Sequence, residues 1–407
     1  MMKKLIALLL AAALLTGCAA GGVGDLMTGI RGGTVQLSAD LDDGAEAATD
    51  FGLALFRQTM EPGKNTLLSP LSVLYALSMT ANGAAGETLT QMEQVLGLDA
   101  EAANQWLCSY DRQLPQGLTL ANSIWFRDST DLTVNADFLQ INGDYYGADI
   151  FKTPFDNAAR DAINDWVKEN TDGMIPGIID DIQPDVMMYL INALAFDAQW
   201  ATPYSDIQVR PAVFTTEDGT ERSVELMHSS EDRYLEDQNA TGFIKYYADK
   251  DFAFVALLPK EGVSVADYIS GLSGGELRKM LENPQQIEVH ASIPKFEMEY
   301  DVEMSGVLRQ MGMTDAFDWT KADLSRLGTC TEGNLYISRV LHKTFISVAE
   351  QGTRAGAVTA IEMPAEGAMA PTDHKTVRLD RPFVYMLIDC ENMVPFFIGA
   401  MMDVEGN

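Results

Sequence analysis

Apolar residues recur along this chain at two spacings. Ala47, Phe51, Leu55 and Phe56 return every three or four positions, the period of a helix with one buried stripe, so a folded body is expected to begin near Glu46. Ser69 followed by Pro70 reads as an N-cap and a proline at the first helical position; Leu74, Leu77 and Ser78 share a face of the helix predicted over 71–80. A second helix is predicted over 164–171, around Trp166 and Val167. Other stretches are apolar runs rather than stripes. Residues 187–196 are almost wholly apolar, as in a strand covered on both faces, and 335–348 repeat the pattern. Residues 383–388 and 394–398 predict two strands parted by the polar turn 389–392, and His290 alternates within a strand over 287–293. The expected class is α+β with large sheets.

The amino-terminal end carries a different pattern. Lys3 and Lys4 precede an apolar run of 11 residues, 5–15, shorter than the roughly 20 that a membrane-spanning helix needs. Residues 1–17 therefore read as a signal peptide. Leu15, Thr16, Gly17 and Cys18 resemble the lipobox of bacterial lipoproteins, which implies a lipidated Cys18 and a place outside the cell or on its surface, held to a membrane only by that lipid. Residues 19–44 hold seven glycines and no apolar period, so 18–45 are expected to form a flexible tether. No comparable linker follows, and 46–407 are expected to be one domain.

Charge narrows the function classes. Against 28 Lys and Arg stand 59 Asp and Glu, a formal charge of -31, and such a surface repels nucleic acid and anionic lipid. Cys108, Cys330 and Cys390 form neither a disulfide framework nor a C-x-x-C pair, and no cofactor or metal is expected. The chain lacks an H-E-x-x-H helix, a phosphate loop and a G-x-G-x-x-G turn. Of the four histidines, His228 and His374 would be the ones for a hydrolase to use, yet neither sits in a nucleophile motif. An enzyme is the weaker expectation.

One segment reads as two structures. After the apolar run ends at Val348 come Glu350, Gln351 and Gly352, and the glycine permits a hinge. As a strand, the following residues would place Thr353, Ala355, Ala357, Thr359, Ile361 and Met363 on one face. Arg354, Gly356, Val358, Ala360, Glu362 and Pro364 would take the other, keeping charge out of a core. The same stretch to Lys375 is rich in Ala, Gly, Pro and Glu, as in an exposed loop.

These residues and others resemble the serpins over nearly the whole span from Ala47 to Val404. Asn65, Ser69, Pro70, Ser72, Ala76, Leu77, Met79, Gly83, Ala84, Gly86 and Thr88 follow that family's early helical signature in order. Leu190, Asn192, Ala193, Phe196 and Trp200 are similar to its central strand; Pro294, Lys295, Phe296, Leu308, Met311, Gly312, Asp315 and Phe317 follow its later pattern. His342, Lys343, Glu350, Gly352 and Thr353 match the strand and hinge that feed its reactive loop, and Pro382, Phe383, Phe397 and Gly399 its closing strands. Ala195, Asp197 and Ala198 depart from the family's usual aromatic pair, lysine and glycine, Val358 is larger than usual, and Val404 replaces a terminal proline.

The resemblance implies three β-sheets, about nine helices and an exposed reactive-centre loop near 351–378. It also implies a monomeric suicide inhibitor of serine proteases, sometimes of cysteine proteases, in which the cleaved loop enters the central sheet while the protease is still held as an acyl-enzyme. Serpin loop insertion is itself a standard example of strand addition and of stored strain released. The hinge would be Glu350, Gly352, Thr353, Ala355, Ala357 and Thr359. Asn65, Ser69, Ser72, Asn192 and His342 would form a buried shutter under the parting strands, and Trp200, Lys295 and Glu350 a breach at the top. The family's usual spacing from Glu350 puts the reactive bond at Glu366–Gly367, which suits a glutamyl-specific protease; Ala365 one residue earlier suits an elastase-like one. A non-inhibitory serpin acting as a binding or chaperone-like protein is the alternative, and the small hinge face argues against it.

Overall fold

The computed structural model describes residues 22–37, 42–115, 117–128, 132–183, 186–331, 334–353 and 374–405. Among these are nine α-helices and three large sheets, with a further two-stranded pair, Leu132–Val134 against Gly328–Cys330.

The largest sheet has eight strands. Its centre is Met188–Phe196, in which every residue is buried. Alternation divides its side chains between two cores: Met188, Leu190, Leu194 and Phe196 face the main one, while Tyr189, Ile191 and Ala193 face a smaller one. Ile163 and Val167 of the Asn157–Asn170 helix close that smaller core, so the run is apolar because both faces are covered. On one side Met188–Phe196 pairs antiparallel with Leu118–Arg127, and beyond that lies Asp149–Thr153. On the other side it runs parallel to Arg339–Val348, whose far edge pairs with Phe296–Glu303.

The pairing of those two central strands is incomplete. Tyr189–Ala193 are in register with Arg339–Lys343, and above Lys343 the strands part. In the top of the gap sits the two-residue strand Gly352–Thr353, between Val348 on one side and Ala198–Gln199 on the other.

Three strands of the six-stranded sheet, Phe252–Pro259, Phe383–Asp389 and Val394–Met401, are buried throughout, and the helix Pro70–Ala81 lies in the same core with all its residues buried. Ser69 caps that helix by accepting the Ser72 amide, as the sequence predicts. The four-stranded sheet ends in His374–Arg378, parallel to Glu288–Pro294. Residues 354–373 join Gly352–Thr353 of the large sheet to this strand.

Several boundaries differ from the sequence reading. The first helix spans Asp42–Thr59, opening before Glu46, and the 335–348 run becomes a strand only over Arg339–Val348. The expected tether is tied down over much of its length. Gly24–Asp25 add a short strand to the edge of the large sheet against Lys152 and Phe151, and the Leu26 amide continues the ladder to Ile150. Leu26, Met27 and Ile30 pack on the main core. Beyond them Gln140 binds the Arg31 carbonyl and Asp144 accepts the Gly33 amide, so the strap crosses the Ala136–Tyr146 helix. Glycine fits here because Ile30 comes so close to Gly143 that a β-carbon there would lie 2.9 Å from it.

Candidate functional site

The hinge is a hairpin turn. Ala349 and Gly352 exchange backbone hydrogen bonds, which folds Glu350 and Gln351 into a two-residue turn and returns the chain along Val348. A β-carbon on Gly352 would meet the Ala198 carbonyl oxygen at 2.1 Å, a backbone clash that fixes glycine at this position. Thr353 is buried and its hydroxyl meets that of Tyr247.

Three N–H groups hold the turn from outside. The Trp200 amide donates to the Gln351 carbonyl, the Trp200 indole to Ala349 at 2.8 Å, and the Tyr204 amide to Glu350. The Trp200 ring stacks on Tyr247 with centroids 4.5 Å apart. Lys295 reaches Glu350 at 2.8 Å and Glu225 at 3.1 Å. Its hydrogen bond to Glu350 raises the Lys295 pKa, and burial opposes the rise. Burial pushes the Glu350 carboxyl up, but Lys295 and a backbone N–H outweigh it and hold it below its usual range. The breach residues thus meet, with Tyr204, Tyr247 and Glu225 as members the sequence did not flag.

Lower down, where the central strands touch, lies the shutter. Asn192 and His342 are register partners on the face shared with Leu190 and Val340, so alternation aims both at the start of the Pro70–Ala81 helix. His342 Nδ1 lies 2.7 Å from Asn192 Oδ1, and the Ser69 amide donates to Nε2 at 3.0 Å. The imidazole is therefore neutral, with its proton on Nδ1. Burial pushes its pKa down to about 3. Ser69 joins His342 through its backbone amide while its hydroxyl caps the helix. The Ser72 hydroxyl and the Asn192 Nδ2 are buried without a partner among the described residues. Asn65 serves another junction: its amide accepts from Met402 and Asp403 and donates to the Asp403 carbonyl, binding the last strand's exit.

Ala355, Ala357, Thr359, Ala365, Glu366, Gly367 and Cys18 lie outside the described residues. Cys108, Cys330 and Cys390 are free thiols. His228 meets Ser292 at 2.9 Å and His290 stacks on His374, both pairs on the four-stranded sheet and away from the hinge turn.

Comparison with known proteins agrees with this architecture. A serpin-like protein of Thermococcus kodakarensis is 30% identical over 370 residues, covering 88% of this chain and 85% of its own. The leukocyte elastase inhibitor of Xenopus tropicalis is 30% identical, covering 78% of this chain and 88% of its own. Among solved structures, the thermophilic serpin tengpin in its native state superposes with a TM-score of 0.90 at 45% identity, covering 94% of this chain and 99% of that one. Its latent state superposes with a TM-score of 0.80 at 46% identity. The family model described as serpin (serine protease inhibitor) matches residues 46–404, and the chain belongs to the serpin family.

Proposed function

We propose that this chain traps serine proteases by inserting its cleaved loop into the gap of the large sheet. The observation that carries the reading is the hairpin seed: Gly352–Thr353 already occupy the top of that gap, paired on both sides. A protease serine oxygen adds to the scissile carbonyl, the C–N bond breaks, and the new amine departs with a proton. The ester now ties the enzyme to the part of the loop that continues from Thr353. That part extends the seed downward, displacing the contacts between Tyr189–Ala193 and Arg339–Lys343 and carrying the enzyme with it. Filling the gap forms on the order of ten backbone hydrogen bonds at about 0.5–1.5 kcal/mol each. That rivals the whole stability of a domain, about 5–15 kcal/mol. The native state is then a kinetic trap.

Small residues at Ala355, Ala357 and Thr359 suit the race with deacylation, because a bulky or charged side chain on that face would have to be buried in passing. The name of the Xenopus relative favours an elastase-like target cutting after Ala365, over a glutamyl-specific one cutting between Glu366 and Gly367. The monomer acts outside the cell, held to the membrane by lipid on Cys18 after removal of residues 1–17. Incubation with both protease types tests this: a denaturant-resistant adduct is expected, and the mass of the released peptide names the bond. Cleavage without an adduct by either class, or by cysteine proteases, turns the reading to a non-inhibitory serpin.

A further inference from the structure

Behind the breach lies a lysine that the mechanism above does not use. Lys245 is only 2% exposed, although a lysine is rarely fully buried unless paired. Its ammonium lies 4.6 Å from the Tyr204 ring centroid and 5.3 Å from that of Trp200. It donates to Glu231 Oε1 at 2.9 Å and reaches the Thr202 carbonyl at 3.4 Å. The same carboxylate oxygen accepts the Ser229 hydroxyl at 2.6 Å, and Ser229 Oγ lies 3.2 Å from the Tyr204 hydroxyl. One buried cation is thus set against the two aromatic residues whose three N–H groups hold the carbonyls of Ala349, Glu350 and Gln351.

The other end of the pair points to the far end of the loop. Glu231 closes the strand Glu221–Glu231, is in register with Val289, and Val289 is in register with Lys375 of the strand that the loop enters. Packing alone does not account for a charge here, because an apolar side chain of similar length fills such a space at no cost and often with a gain in stability. A cation over two rings does something an apolar group does not: it fixes their position through the ring quadrupoles.

We propose that Lys245, paired with Glu231, is a positioning residue for loop insertion. By fixing Trp200 and Tyr204 it keeps the hinge turn formed, so that insertion starts from a nucleated hairpin instead of having to build one. The inference rests on the trapping reading above and deepens it by naming what sets the speed of the first step.

The test compares wild type, the double variant Lys245→Met/Glu231→Gln, which leaves no unpaired buried charge, and Lys245→Arg. A metalloprotease, which forms no acyl-enzyme, cuts the loop, and the rate at which the cut protein gains thermal stability reports insertion by itself. An elastase-type serine protease then gives the number of inhibitor molecules consumed per enzyme trapped. In the double variant, cutting is expected at the wild-type rate and insertion about tenfold slower, the kinetic equivalent of losing one or two cation–π contacts. The number consumed per enzyme rises accordingly, and Lys245→Arg restores both. If the double variant does not fold, Lys245→Gln/Glu231→Gln, which also leaves no unpaired buried charge, carries the same readouts. Wild-type insertion in the variant overturns the proposal, as does slowing of cutting and insertion alike without rescue by arginine. A wild type that gains stability on cutting but forms no adduct overturns only the trapping reading, whereas one that gains none overturns both.

Discussion

The top and the middle of the large sheet are held shut in opposite ways. At the breach, the hinge turn is gripped by three N–H groups on backbone carbonyls and by the half-buried Lys295–Glu350 pair. These contacts leave the strand seat already open. At the shutter, Asn192 and His342 are fully buried and joined to each other and to Ser69. Under the proposed trapping mechanism, insertion would start at the paired hairpin of the breach and meet its barrier at the buried contacts of the shutter.

The comparison breaks most visibly at Thr353. Thr353→Arg would put a guanidinium where the hydroxyl now meets Tyr247. Burying an unpaired charge costs several kcal/mol, so insertion slows by about a hundredfold or more and the protein becomes a substrate. Gel analysis of the protease mixture reads this directly, and an undiminished adduct refutes the seat.

At the shutter, pH separates the two regions. Above about pH 6.5 His342 is neutral folded and unfolded, and its contribution is complete. As pH falls through 6.5 the unfolded chain binds a proton that the folded chain refuses until about pH 3, so stability declines by about 1.4 kcal/mol per pH unit. Urea midpoints of wild type and His342→Gln between pH 7 and 4 isolate this slope, and parallel curves would contradict the neutral imidazole.

The smallest effect belongs to the ion pair. Lys295→Gln is expected to lower stability by no more than about 1 kcal/mol, since the pair is partly exposed and salt-screened. A loss several times larger in the same urea assay would move the barrier from the shutter to the breach.

Much of this was legible in the residues. Ser69 and Pro70 marked the start of a helix, the apolar run around Asn192 marked a strand covered on both faces, and alternation after Gly352 put Thr353 inward, where it is buried. What escaped were partnerships across long separations. Lys245 reads as one charge in a strand until Trp200, Tyr204 and Glu231 are seen around it. Asn65 follows the family signature with Ser69, yet the contact that occupies its amide is 338 residues away at Asp403. The strap escaped for another reason: three apolar anchors, Leu26, Met27 and Ile30, among glycines make no period, and an edge strand needs only two residues to form.

That strap shortens a leash. Had residues 18–45 been free, they would have let the body roam about 90 Å from an anchored Cys18, at about 3.3–3.6 Å per extended residue. With Gly24 fixed to the sheet edge, the proposed lipid on Cys18 would be separated from the folded protein by five residues, a reach of about 20 Å. The protein would then sit as a sentry close over the bilayer, the flank that carries Gly24 turned toward it, meeting proteases that come to the membrane instead of sweeping the fluid above it.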